Sequence, residues 1–147
     1  MRVVRRFGLL AGMCVVLVVT VLAGCNLLQY QFCVTNLTPY DLKEVNITTQ
    51  SADSWGSNDL TGVIEPGGSE DIKGFSPGMY MVRGVFDIAG EPNLCHEVIN
   101  GELIIVNEGL EITTTNICID YREIEGIVSK DKADVCTSIY GAARFEI

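Results

Sequence analysis

The sequence predicts an all-β domain, an antiparallel β-sandwich of about seven to eight short strands, and three observations carry that expectation. Apolar and polar residues alternate over short runs, as in Tyr30-Gln31-Phe32-Cys33-Val34-Thr35, which is the period of two that a half-buried strand requires. Turn dipeptides separate the runs at short intervals. No stretch sustains a helical period over ten or more residues, so short strands around one core are the solution left.

Taken in order, the run from Tyr30 is the first strand, with Tyr30, Phe32 and Val34 on one face, and Asn36-Leu37-Thr38-Pro39 ends it. Val45 and Ile47 mark a second strand. Residues Gln50 to Asp59 turn polar and small and form a loop carrying the single tryptophan, Trp55. Leu60 to Ile64 leads into Pro66-Gly67-Gly68, where a fixed-φ residue precedes permissive ones, the requirement of a turn. Ile72 centres the next strand and Pro77-Gly78 closes it. Met79 to Asp87 follows, with Tyr80, Val82 and Phe86 on one face and Met81, Arg83 and Val85 on the other. After a loop at Ala89 to Asn93, two hairpins are expected in series. Leu94–Ile99 and Glu102–Val106 flank Asn100-Gly101, and Asn107-Glu108-Gly109 turns the chain into Leu110–Ile119. Asn-Gly suits a type I′ turn because both residues tolerate positive φ. From Asp120 the chain looks less regular, with a short helix or strand expected in Ser138 to Ile147.

Residues 1–24 have another character. Arg2, Arg5 and Arg6 precede an uncharged run from Phe7 to Gly24, and Leu22-Ala23-Gly24-Cys25 closes it. Basic, apolar and small-residue regions in that order make an export signal, a signal helix ahead of the domain. The closing tetrad resembles a bacterial lipobox. That resemblance implies cleavage between Gly24 and Cys25, diacylglycerol on the Cys25 sulfur and acylation of the freed amine. One acyl chain holds a protein only marginally, so two or three make the attachment durable. An uncleaved signal-anchor is the rival, since about 20 apolar residues span a bilayer, and a non-lipid signal peptide is a third reading. Residues 25–29 would be the lipidated tether and 30–147 the domain. The tether reaches on the order of 20 Å at most, at about 3.3–3.6 Å per extended residue, and keeps the domain close to the membrane. Asn26 is not the aspartate that often retains lipoproteins in an inner membrane. The expected location is thus the bacterial cell envelope, and the outer membrane if the source has two.

All 19 acidic residues follow Cys25, against seven of the ten basic ones, a formal charge of −12 for the mature chain. Such a field disfavours nucleic acid and anionic headgroups. With Cys14 in the signal and Cys25 assigned to lipid, Cys33, Cys95, Cys118 and Cys136 remain, an even number for an oxidising compartment. Two disulfides are expected. Three pairings are open, and Cys118–Cys136 with Cys33–Cys95 is the favoured one, the former worth about 3 kcal/mol by loop-closure entropy. Zinc is the rival, but there is no Cys-x-x-Cys and only one histidine, His96.

Phe32, Val34, Asn36 and Thr38, then Trp55-Gly56-Ser57-Asn58-Asp59-Leu60-Thr61-Gly62, Pro66-Gly67 with Ser69, and Pro77-Gly78-Met79-Tyr80-Met81-Val82-Arg83 together resemble a small exported bacterial domain, a family without assigned activity. The resemblance covers roughly Phe32 to Thr115. It implies a compact β-sandwich found in lipoproteins and secreted proteins and brings no catalytic residues. The four mature cysteines and the segment after Cys118 depart from its pattern.

Chemistry is sparse. His-Glu-x-x-His and a phosphate-cradling glycine loop are both missing, and one histidine in the whole chain makes a catalytic triad hard to build, so no enzyme, catalytic residue or cofactor is expected. His96 and Glu97 alternate faces on an expected strand and make no dyad. Asp53, Asn58 and Asp59 beside Trp55 are the one cluster with calcium-type oxygens, but the spacing departs from the EF-hand pattern and no metal is expected. Trp55 is read as a loop anchor packed on the sandwich. The sequons Asn36-Leu37-Thr38 and Asn46-Ile47-Thr48 are incidental in a bacterial chain. The leading expectation is a non-enzymatic, membrane-anchored structural or binding module for an envelope protein or polymer. The alternative is a carbohydrate- or peptide-binding sensor or inhibitor that uses Asp53, Trp55, Asn58 and Asp59.

Overall fold

The computed structural model describes residues 29–91, 94–96, 98–129 and 132–147, and their side chains except at 126–129 and 132–135. The expected signal sequence, its expected cleavage point at Gly24 and Cys25, and the expected tether up to Leu28 lie outside the described residues. Seven strands follow one another in the described chain: β1 (Tyr30–Leu37), β2 (Asp41–Thr49), β3 (Ser69–Phe75), β4 (Gly78–Asp87), β5 (Glu102–Ile112), β6 (Asn116–Ser129) and β7 (Lys132–Glu146). They make two sheets, β3-β1-β6-β7 and β2-β4-β5. Every named pairing is antiparallel except β1 with β6, which run parallel with Phe32 opposite Ile117 and Cys33 opposite Cys118. The β-sandwich is therefore mixed in one sheet.

Alternation decides which side chains meet between the sheets. Phe32 and Val34 of β1, Ile117, Ile119 and Tyr121 of β6, Val45 of β2, Val82 and Phe86 of β4, and Ile139 of β7 are fully buried. At one end Phe32, Phe75 and Tyr80 form three edge-to-face ring pairs with centroids 4.8–5.6 Å apart. Deeper in, Phe86 meets Tyr121 at 5.1 Å. Edge contacts of this kind add about 0.5–1.5 kcal/mol each beyond burial, because ring quadrupoles favour them. Tyr121 reaches the opposite sheet and lies against glycines: a Cβ on Gly84 would sit 2.7 Å from its hydroxyl, and one on Gly141 2.8 Å from its ring.

The turns follow their residues. Pro66-Gly67 makes a tight turn with Gly67 at φ 81° and the Gly68 N–H donating to Glu65 O at 2.9 Å, the positive φ that the second central residue of a type II turn needs. Asn100 and Gly101 take φ 56° and 78°, and Ile99 and Glu102 exchange both backbone hydrogen bonds, as a type I′ turn requires.

Three expectations fail locally. Asn107-Glu108-Gly109 is no turn, because β5 continues through it. Tyr80 pairs with Leu110 and Val82 with Asn107, so Glu108 and Gly109 face one residue of β4. This is a bulge, with Gly109 at φ 69°. Leu110–Ile119 is two strands, broken at Thr113-Thr114-Thr115. Among its described residues, Leu94 to Ile99 makes only isolated bridges, Leu94 with Thr137 in parallel and Ile99 with Glu102. Beyond Asp120, where regularity is hard to see in the sequence, β6 and β7 form the longest hairpin of the described chain. Their pairing supplies the order that the local pattern lacks.

Candidate functional site

The Trp55 loop lies along β2, an edge strand of the three-stranded sheet. An edge strand presents unpaired backbone groups, and this loop satisfies them. Asn58 Oδ1 accepts from Val45 N at 3.0 Å, Asp59 Oδ2 from Ile47 N at 2.7 Å, and Asp59 N donates to Val45 O at 2.8 Å. Further along, Leu42 and Ile64 exchange backbone hydrogen bonds. Asn58 and Asp59 are thus committed to closing an edge. Asp53 is exposed, and among the described residues no group of three or more His, Cys, Asp or Glu side chains gathers where a metal ion could sit.

Trp55 is half-buried, with the Arg83 guanidinium 5.7 Å from its ring centroid. Arg83 is fixed in turn by Asn46 Oδ1 at 3.0 Å and Glu44 Oε2 at 3.3 Å. One face of the indole is therefore taken by a cation from the sheet, a contact worth about 0.5–1 kcal/mol at a partly exposed site. The loop is tied to the sheet by Ser57, Asn58 and Asp59, while Trp55 meets it through Arg83 with its ring not enclosed.

Both Asn-x-Thr segments have structural employment that the sequence did not reveal. Asn36 is fully buried. Its Nδ2 donates to Tyr40 O at 2.7 Å and Ile64 O at 2.9 Å, while its Oδ1 accepts from Thr38 N and Thr38 Oγ1. Asn46, 1% exposed, donates to Ser57 O at 2.9 Å and accepts from Arg83. For Asn36 the signal is the Asn-x-Thr spacing itself, which lets the Thr38 hydroxyl reach the asparagine carbonyl.

The cysteines and their charged neighbours form the other constellation, on the outward face of β3-β1-β6-β7. Strand register lays Asp71, Cys33, Cys118 and Arg144 side by side across the four strands. Cys118 is fully buried and Cys33 partly exposed, and the two lie near each other. Burial pushes the Cys118 thiol pKa well above its ordinary value, and hydrogen bonds to Cys33 and Glu146 add to the effect. Glu146 titrates below the usual carboxylate range, first because the Cys118 thiol donates to it and then because of Arg144. Asp120, only 6% exposed, binds Arg122 at 3.1 Å and Arg144 through the same Oδ2.

All four cysteines of the domain are free thiols, and the strands correct the favoured pairing. Cys118 stands opposite Arg144 and Cys136 opposite Gly126. At about 3.3 Å per residue those positions on β6 are roughly 26 Å apart, far beyond disulfide reach. Cys33 lies beside Cys118, while Cys95 lies beside β7 near Cys136, its N–H donating to Thr137 O at 3.1 Å. Cys33–Cys95 is thus ruled out by the same separation. His96 is partly buried, with no metal-type cluster around it among the described residues. Comparison of the chain with known protein families, curated proteins and solved structures finds no match.

Proposed function

We propose that the chain is an exported, lipid-anchored β-sandwich acting as a non-enzymatic structural or binding module of a bacterial envelope, with Cys25 as its membrane attachment. The observation that carries this is Leu22-Ala23-Gly24-Cys25 at the end of a basic-then-apolar leader. Support comes from where the domain starts. β1 begins at Tyr30, five positions after Cys25, so a lipid on that cysteine would hold the Tyr30 end of the sandwich against the bilayer. Arrangement of the Trp55 loop favours the structural reading over a sensor or inhibitor built on it. Two of its four expected ligand residues, Asn58 and Asp59, spend their side chains on β2, and Arg83 covers one face of the ring.

The test is fractionation of cells expressing the full chain and its Cys25→Ser variant. The native chain should stay with membranes through a high-salt wash and lose the leader, whereas the variant should escape lipid modification and keep it. A chain that retains residues 1–24 in both forms would instead be a signal-anchored protein. Crosslinking in intact cells tests the binding part, which predicts capture of an envelope protein or polymer by the native chain. Recovery of the uncrosslinked domain alone would count against it.

A further inference from the structure

We propose that the domain oxidises to two disulfides on one face of its four-stranded sheet, Cys33–Cys118 across β1 and β6 and Cys95–Cys136 between the β4–β5 connection and β7. This goes beyond the anchoring of the chain, and it concerns the folded domain whatever holds it at a membrane. The first pair is set by register. Cys33 and Cys118 are direct partners on parallel strands, so their Cα atoms are separated by a strand spacing of about 4.8 Å, inside the 4.4–6.8 Å range of disulfides. Both point away from the core, since Phe32, Val34, Ile117 and Ile119 take the inward positions. The two thiols lie near each other without being bonded.

The second pair rests on a separate contact. Leu94 bridges Thr137 in parallel and packs on the core, so the next residue, Cys95, turns outward and is exposed. On β7 Cys136 alternates with Thr137 and shares that outward side. The two cysteines lie near each other but are not bonded. That single bridge is the one β-pairing of residues 89–98 with β7 among the described residues, and a covalent bond at Cys95 would reinforce it.

The chemistry closes with a small-molecule disulfide as oxidant. The partly exposed Cys33 thiolate attacks one sulfur of the oxidant, releasing one thiol and leaving a mixed disulfide on Cys33. Cys118 then attacks the Cys33 sulfur, its proton passing to the nearby Glu146 carboxylate, and the second thiol leaves. Two protein thiols become one disulfide while one oxidant disulfide becomes two thiols. Buried Cys118 serves as the resolving group in this order, because solvent reaches Cys33 first.

The domain from residue 26 onward, purified reduced and equilibrated with oxidised glutathione, is digested without reduction and its linked peptides identified by mass spectrometry. Far-ultraviolet circular dichroism beforehand establishes that this piece folds; if it does not, the same mapping is run on the full chain in detergent. The expected links are Cys33–Cys118 and Cys95–Cys136. Cys33→Ser should leave Cys118 unlinked while the other bond still forms, and Glu146→Gln should let the glutathione adduct on Cys33 accumulate before closure. A Cys33–Cys95 or Cys118–Cys136 link, or four thiols that remain free in the folded protein, would overturn the proposal. Either result leaves the lipid on Cys25 untouched, so failure here is distinguishable from failure of the anchoring reading.

Discussion

Tyr121 concentrates the tension between packing and polarity in this core. Its ring is fully buried against Phe86, yet its hydroxyl has no hydrogen-bond partner among the described residues and lies where a Cβ on Gly84 would fall. A buried unpaired hydroxyl costs free energy. Tyr121→Phe should therefore stabilise the domain, by about 1 kcal/mol, measured by urea unfolding. Gly84→Ala should destabilise it by roughly 1–3 kcal/mol through overpacking, and less so on the Tyr121→Phe background, where the nearest clashing atom is gone. Equal cost in both backgrounds would show that the hydroxyl is not the obstacle. Burial also raises the Tyr121 pKa far above the ordinary phenol value of 10.0. A raised folded pKa gives stability that is full below the unfolded value and is lost as pH climbs from there toward the folded one. Stability should thus fall above about pH 10, and less steeply in Tyr121→Phe. Asn36 is the opposite case, a buried amide with both ends engaged. Asn36→Ala strands several partners at once and should cost on the order of 2–4 kcal/mol.

At the scale of elements, the legible features were those written locally. Phe32 and Val34 declare β1 by alternation, and Pro66-Gly67 and Asn100-Gly101 declare their turns because few other residues accept those φ values. What was not legible depends on a distant partner. Asn107-Glu108-Gly109 has turn chemistry, but a glycine at positive φ serves a bulge equally well, and pairing with β4 decides between them. β6 and β7 were obscured because charged residues interrupt their outward face and Gly141, Ala142 and Ala143 leave little apolar pattern. Of the loop residues singled out beside Trp55, Asn58 and Asp59 turned out to serve β2, an outcome that no spacing in the sequence announces. Their role predicts a defined failure. Asp59→Ala leaves Ile47 N–H without its acceptor and should cost about 1–2 kcal/mol while opening the β2 edge to pairing. Light scattering over a concentration series should then show association that the native domain lacks. A monomeric variant of unchanged stability would mean that the loop does not guard the edge.

For the whole molecule, topology sets what the cysteines can do. The parallel β1–β6 pairing brings Cys33 to Cys118 across most of the domain sequence, a relation that loop-length reasoning from sequence could not anticipate because it turns on which strands neighbour each other. The same arrangement puts the start of β1, the end of β7 and the start of β6 at one end of the sheet. A lipid at Cys25 would draw that end to the bilayer and leave the Ser129–Lys132 end of the β6–β7 pair pointing away. The claim on which this orientation depends is the lipidated N-terminus, and the most direct measurement is mass spectrometry of the mature protein extracted in detergent from its membranes. The N-terminal peptide is predicted to begin at Cys25 and to carry the mass of a diacylglyceryl group on its sulfur, with or without a further acyl chain on its amine. A mature chain that begins at any other residue, or an unmodified Cys25, would contradict the account.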